Sequence, residues 1–91
     1  MSKPTVLVAE DESALVTLLR YNLEREGYRV LEARDGEEAL LLADEAKPDL
    51  VVLDWMLPQL SGIEVCRRLR SRGHMRNVPI VMRSLRSLDG G

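Results

Sequence analysis

Carboxylates follow two short apolar runs of the sequence, and they are the residues best placed to do chemistry. Glu10 and Asp11 come directly after the run 5–9, and Asp54 ends the run that begins at Leu50. A short apolar run without alternation is typical of a strand buried on both faces of a parallel sheet. Because chemistry in open α/β sheets lies just beyond the carboxyl ends of the strands, Asp54 is the first candidate for function.

A magnesium ion is the simplest partner for such a group of acids. If the first and third strands are neighbours, Glu10, Asp11 and Asp54 converge at one edge and repel one another. Magnesium favours one or two carboxylates, a backbone carbonyl and retained waters. A carboxylate beside such a cation can attack a phosphoryl group and become an aspartyl phosphate. The alternative is that these acids are only helix caps and solvated strand ends.

The segments that must position these acids alternate between strand and helix patterns. Short apolar runs predict strands, and apolar residues at helical spacing after a capping residue predict helices. The predicted strands are 5–9, 28–33, 50–54 and 78–82, and capping-box pairs stand at Asp35 with Glu38 and at Ser61 with Glu64. Crossovers of helical length require parallel strands, which predicts a three-layer α/β sandwich with sheet order 2-1-3-4.

Composition limits the classes of protein that fit. The 91 residues suit one small domain, and 13 basic against 15 acidic side chains give a formal net charge of −2. No overall field therefore draws nucleic acid or an anionic membrane to the chain. One cysteine, with no signal peptide and no membrane-spanning run, predicts a cytoplasmic protein that contacts neither nucleic acid nor membrane directly.

Three blocks of sequence carry more information than spacing alone. They are 6–12 (VLVAEDE), 53–58 (LDWMLP) with Ser61-Gly62 after it, and 78–82 (VPIVM). Together they resemble the receiver domain of two-component response regulators, most of all the OmpR/PhoB branch with its phosphate-regulon regulators. The resemblance covers residues 5–82 with the motifs in register. It implies a flavodoxin-like, CheY-like fold and a signalling domain rather than an enzyme, with at most self-phosphorylation and self-dephosphorylation.

The resemblance also implies a role for individual residues. Asp54 would accept a phosphoryl group from the phosphohistidine of a sensor histidine kinase. Asp11 and Asp54 would bind Mg²⁺ directly, Glu10 would act through water, and Met56 would contribute its backbone carbonyl. Ser84 falls where the family places its switch hydroxyl, which reports phosphorylation by moving.

The sequence departs from the family pattern after the fourth strand. The fifth strand, the lysine that follows it and the last two helices have no counterpart, and Lys3 and Lys47 lie in unrelated positions. Residues 1–82 are therefore predicted to be a partial receiver domain and 83–91 a tail outside the family. An exposed fourth-strand edge predicts a homodimer or higher oligomer. The missing lysine predicts slow or disconnected phosphoryl transfer.

Two other functions stay open. A receiver-derived fragment would fold by self-association and no longer signal. A phosphohydrolase with an aspartate nucleophile would have a similar site, but such enzymes usually carry a second Asp two residues after the nucleophile. That position is Met56 here, which argues against the hydrolase.

Overall fold

The computed structural model describes residues 3–83, in which strands and helices alternate. In chain order, the elements are β1 (Thr5–Ala9), α1 (Ser13–Arg25), β2 (Arg29–Ala33), α2 (Gly36–Ala46), β3 (Leu50–Asp54), α3 (Gly62–Arg70), a 3-10 turn (Gly73–Met75) and β4 (Ile80–Arg83). The predicted order of strands and helices is confirmed over this part of the chain.

The four strands form one parallel sheet in the order β2-β1-β3-β4. The predicted order 2-1-3-4 is therefore confirmed. Ala9 at the end of β1 lies beside Ala33 of β2 and beside Leu53 of β3. Because the three strands end at one level, the residues that follow them meet at one edge of the sheet.

The side chains of β1 alternate between two apolar layers. Val6 and Val8 pack on the face covered by α1, whereas Leu7 and Ala9 belong to the larger core beneath α2 and α3. All four are fully buried. A strand covered on both faces reads as a continuous apolar run, which explains the pattern of residues 5–9 and the three-layer architecture.

The helix boundaries depend on side-chain caps and one glycine. Asp35 Oδ1 accepts the Glu38 N–H at 2.8 Å, and Ser61 Oγ accepts the Glu64 N–H at 3.2 Å. Both caps were predicted and both are confirmed. After α1, Gly27 adopts a φ of +94°, a left-handed conformation that glycine enters without steric cost.

The fourth strand begins later and ends later than the predicted run 78–82. Pro79 has no N–H to donate to a ladder, so regular pairing starts after it. Before it, Arg70 Nη1 donates to the Val78 carbonyl oxygen at 2.7 Å and fixes the approach to the strand. At the other end, β4 includes Arg83, one residue into the predicted tail. The division of the chain at 82/83 stays a prediction.

The charge of Glu64 gives α3 a pH-dependent contribution to stability. Hydrogen bonds from Arg68 (2.8 Å) and Arg67 lower the pKa of Glu64 below its usual range. A lowered folded-state pKa contributes stability above the unfolded value of about 4.3, and the contribution is lost as pH falls through the folded value. We expect Glu64→Gln to be slightly less stable than wild type at pH 7 in urea unfolding. The gap should narrow as the pH falls below the unfolded value and through the lowered folded value, and a gap of unchanged size in strong acid would contradict this.

Candidate functional site

The three candidate acids lie together beyond the ends of β1 and β3. Asp54 is the last residue of β3 and is fully buried, and Glu10 follows β1 and is 1 % exposed. Asp11 is half-buried. One carboxylate oxygen from each residue lies within 4.8 Å of the other two. The predicted convergence of these side chains is confirmed, because β1 and β3 are adjacent and parallel.

Backbone groups of the two loops hold the carboxylates in place. The Glu12 N–H donates to Glu10 Oε2 at 2.7 Å, and the Met56 N–H donates to Asp54 Oδ1 at 3.2 Å. The Glu10 N–H donates to the carbonyl of Ala33 at 3.0 Å, which fastens the first loop to β2. The loops after β1 and β3 thus hold the carboxyl groups of Glu10 and Asp54, and the first loop is also joined to β2.

The donor set fits a hard divalent cation. Glu10 Oε1, Asp11 Oδ1 and Asp54 Oδ2 are shielded from solvent, and three carboxylates bring enough negative charge to attract Mg²⁺. Oxygens on opposite sides of one Mg²⁺ stand about 4.2 Å apart, twice the usual bond length. The three carboxylate oxygens lie within 4.8 Å of one another, a limit somewhat longer than that separation. It is compatible with two direct ligands and a third carboxylate that acts through water.

Gly62 brings α3 close against the backbone of Asp54, a feature that sequence reasoning missed. The Gly62 N–H donates to the Trp55 carbonyl at 2.9 Å. A Cβ on Gly62 would lie 2.3 Å from the Trp55 Cα and 2.8 Å from the Asp54 carbonyl oxygen. The turn before it contains Gln59 at φ +73°, a region that few residues other than glycine adopt. The one sequence signal was the Ser61-Gly62 pair of the family resemblance.

Of the other two predicted site residues, Met56 lies within the described part of the chain and Ser84 does not. Met56 lies at the rim of the site through its N–H bond to Asp54, and its side chain is exposed. A metal-binding role for its carbonyl stays a prediction. Ser84, the predicted switch hydroxyl, lies outside the described residues 3–83.

None of the helices within residues 3–83 is long and apolar enough to cross a membrane.

A family model decides which group of proteins this geometry belongs to. The model for the response regulator receiver domain matches residues 6–89. The chain belongs to the response regulator receiver domain family. The match extends beyond the described residues, and it includes the acidic cluster, β4 and Ser84.

Curated relatives of this receiver domain are transcriptional regulators. The chain is 60 % identical over 77 residues to the alkaline phosphatase synthesis transcriptional regulatory protein PhoP of Bacillus subtilis, covering 85 % of this chain and 31 % of that protein. It is 53 % identical over 83 residues to the phosphate regulon transcriptional regulatory protein PhoB of Rhizobium meliloti, covering 91 % of this chain and 37 % of that protein. The receiver is therefore OmpR/PhoB-like, and the chain spans about a third of the length of these relatives.

Solved receiver structures share the fold. The chemotaxis response regulator CheY4 of Vibrio cholerae superposes with a TM-score of 0.86 at 30 % identity, over 89 % of this chain and 68 % of that one. The receiver domain of a sensor histidine kinase from Pseudomonas aeruginosa superposes with a TM-score of 0.86 at 30 % identity, over 99 % of this chain and 73 % of that one. That crystal structure has a magnesium ion coordinated in its active-site cleft. The CheY-like fold is confirmed, and receiver domains bind Mg²⁺ at an acidic site of this kind.

Proposed function

We propose that the chain acts as a phosphoacceptor, with Asp54 taking a phosphoryl group from the phosphohistidine of a sensor histidine kinase. Receiver domains of response regulators are phosphorylated by such kinases, and the present chain belongs to that family. The observation that carries the proposal is the convergence of Glu10 and Asp11 on the buried Asp54. A cytoplasmic location and the absence of direct contact with nucleic acid stay predictions.

The proposed step is a transfer between a nitrogen and an oxygen. The Asp54 carboxylate attacks phosphorus, the P–N bond of the phosphohistidine breaks, and the imidazole nitrogen keeps the bonding pair. The Met56 N–H holds Asp54 Oδ1 and so fixes the rotation of the carboxylate. Bound Mg²⁺ would supply positive charge to offset the two anionic reactants, with Asp11 and Asp54 as direct ligands, Glu10 acting through water and the Met56 carbonyl as the last protein ligand.

A small phosphodonor tests the proposal without a kinase. The 91-residue chain is incubated with acetyl phosphate and magnesium, and its intact mass is measured by mass spectrometry. We expect a single phosphoryl adduct, and we expect none when a chelator removes magnesium. A chain that is folded by circular dichroism and forms no adduct would contradict the proposal. That result would favour a receiver-derived fragment that no longer signals.

Magnesium binding by itself should be visible through Trp55. This side chain is the chain's one tryptophan, it follows Asp54 directly, and it is 47 % exposed. We expect its emission to change on titration with magnesium. Asp11→Asn should raise the half-saturating concentration at least about tenfold, because even outer-shell partners of a metal typically contribute that much. Asp44→Asn, at an exposed residue on α2, is the matched control, and equal curves for the two variants would contradict the ligand role of Asp11.

Self-association is the second part of the proposal, and the two outer strands differ in this respect. The Arg29 N–H donates to the Pro4 carbonyl and the Ala33 carbonyl accepts from Glu10, so both residues bond toward β1. Because successive residues of a strand bond to opposite sides, the Val30 carbonyl faces outward. Arg20 Nη2 donates to that carbonyl at 3.3 Å, and its guanidinium also pairs with Glu32. A hydrogen bond from Arg20 to Glu32 raises the pKa of Arg20 further, so the cation persists. A charged, covered edge of this kind resists pairing with another strand.

The outer edge of β4 has a different character within residues 3–83. The Pro79 carbonyl accepts from Val51 of β3 and the Arg83 carbonyl accepts from Trp55 just after it, so the backbone groups of Ile80 and Met82 face away from β3. Val81 on this strand is 41 % exposed. Apolar, unprotected edges favour addition of a strand from another chain. We therefore propose a homodimer or higher oligomer built on β4.

Sedimentation velocity at tens of micromolar tests this second part. We expect a dimer or a larger species for the 91-residue chain. Val81→Lys should shift the distribution toward monomer, because a lysine on an edge strand disfavours pairing. Leu18→Lys, at an exposed apolar residue of α1, should leave the distribution unchanged, because it lies on a helix and not on the β4 edge. A monomeric wild-type chain would contradict edge pairing.

A further inference from the structure

A positively charged side chain, that of Arg34, lies beside the acidic cluster, and no step of the proposed chemistry uses it. Arg34 directly follows β2, and the preceding residue, Ala33, accepts the Glu10 N–H at 3.0 Å. Arg34 therefore leaves the sheet next to Glu10, one strand spacing of about 4.8 Å away in backbone terms. Its place in the register puts a positive charge at the rim of the proposed phosphoacceptor site.

Both the backbone and the side chain of Arg34 are held. Its N–H donates to Glu38 Oε1 at 2.9 Å, and Asp35 after it caps α2. Its guanidinium Nη2 donates to Ser13 Oγ at 3.2 Å. Ser13 is the first residue of α1 and stands two positions after Asp11. The bond thus directs the guanidinium back over the loop that carries the acids.

The guanidinium of Arg34 makes no direct ion pair among the described residues. Within residues 3–83, the partner of its guanidinium is a neutral hydroxyl, and no carboxylate lies at ion-pair distance from it. By contrast, Arg20, Arg67, Arg68 and Arg72 each pair with an acid. A guanidinium has five N–H donors in a fork that matches phosphate oxygens. Arg34 is exposed and so can meet an arriving anion.

Given the phosphoacceptor function, on which this step depends, we infer that Arg34 recruits the anionic phosphodonor to Asp54. The substrates concerned are small phosphoryl anions such as acyl phosphates. In the reaction, the P–O bond of acetyl phosphate breaks, a bond from Asp54 to phosphorus forms, and acetate leaves with the bonding pair. Arg34 is unchanged throughout, and Ser13 is a positioning residue that keeps the guanidinium at the rim.

The same charge must have opposite effects on the two ligands of the site. It attracts the phosphodonor anion and repels the divalent cation, and both effects follow from one Coulomb interaction at close range. For a partly solvated separation of this order, a unit charge changes affinity by about two- to fivefold. Removal of a residue that merely supported the fold would instead weaken the binding of both ligands together.

The test measures both affinities on the intact 91-residue chain at low ionic strength. Arg34→Ala should raise the acetyl phosphate concentration for half-maximal initial adduct formation by about two- to fivefold. The same variant should lower the half-saturating magnesium concentration, read from Trp55 emission, by a similar factor. Arg34→Lys should keep most of the wild-type behaviour. Ser13→Ala should fall between wild type and Arg34→Ala, because it frees the guanidinium without removing the charge.

Arg29→Ala is the matched control, since Arg29 is an exposed arginine at the opposite end of β2. It should leave both affinities unchanged, and added salt should erase the effect of Arg34→Ala. Equal results for Arg34→Ala and Arg29→Ala, or a loss of both affinities together, would overturn the inference. If wild type forms no adduct, the phosphoacceptor function fails. The magnesium titration then decides separately whether Arg34 acts on the site.

Discussion

Asp54→Asn should form no phosphoryl adduct with acetyl phosphate and magnesium, while the wild-type chain is modified. The amide has nearly the shape of the carboxylate, so the fully buried site keeps its packing but loses its nucleophile. Removal of one of the crowded negative charges also relieves repulsion with Glu10 and Asp11. We therefore expect the variant to be at least as stable as wild type in urea when magnesium is absent.

The control for this loss is the same chemical change at another acid. Asp44 on α2 pairs with Arg72 at the protein surface, so Asp44→Asn should leave the adduct yield as in wild type. An adduct of undiminished yield on Asp54→Asn would mean that another residue accepts the phosphoryl group. Urea unfolding of each variant separates a loss of chemistry from a loss of structure.

Gly62→Ala should lower the free energy of unfolding by about 3 kcal/mol, the upper end of the usual cost of overpacking. Its added methyl group would meet the Trp55 Cα at 2.3 Å and the Asp54 carbonyl at 2.8 Å. These atoms belong to the backbone at the end of β3, so no side-chain rotation can relieve the contact. The start of α3 must move, and the turn that holds Asp54 must move with it.

Gly73→Ala provides the comparison, because a methyl group there meets no atom within 4 Å. Its stability should stay within about 0.5 kcal/mol of wild type, as for other surface substitutions. Urea unfolding of both variants measures the difference. Similar stabilities for Gly62→Ala and Gly73→Ala would contradict the close approach of α3 to the backbone beside Asp54.

The positions of the acids were predictable because each depends on a local pattern. The apolar run before Glu10 and the run ending in Asp54 identify two strands with little ambiguity, and the helical segments between strands require parallel pairing. Parallel strands end at one edge, so the acids had to meet if β1 and β3 were neighbours. That adjacency was an assumption from the sequence, and the structure confirms it.

Features that depend on contacts between distant segments were not predictable. The bond between Arg34 and Ser13 joins residues 21 positions apart and depends on how α1 lies beside β2. The tight approach of Gly62 depends on the path of the turn after Trp55. The hydrogen bonds from Arg70 to the carbonyls of Met75 and Val78, which fix the approach to β4, have no signal in the sequence. In each case the local residues allow several conformations, and tertiary packing selects one.

The most direct test is to locate the phosphoryl group on the wild-type chain. After reaction with acetyl phosphate and magnesium, borohydride converts an aspartyl phosphate to homoserine, which peptide mass spectrometry assigns to one position. We predict homoserine at position 54 and no conversion at Glu10 or Asp11, which lie in the same cluster. Conversion at another acid, or a stable phosphate on a serine with Asp54 unmodified, would contradict the assignment of Asp54 as the phosphoacceptor.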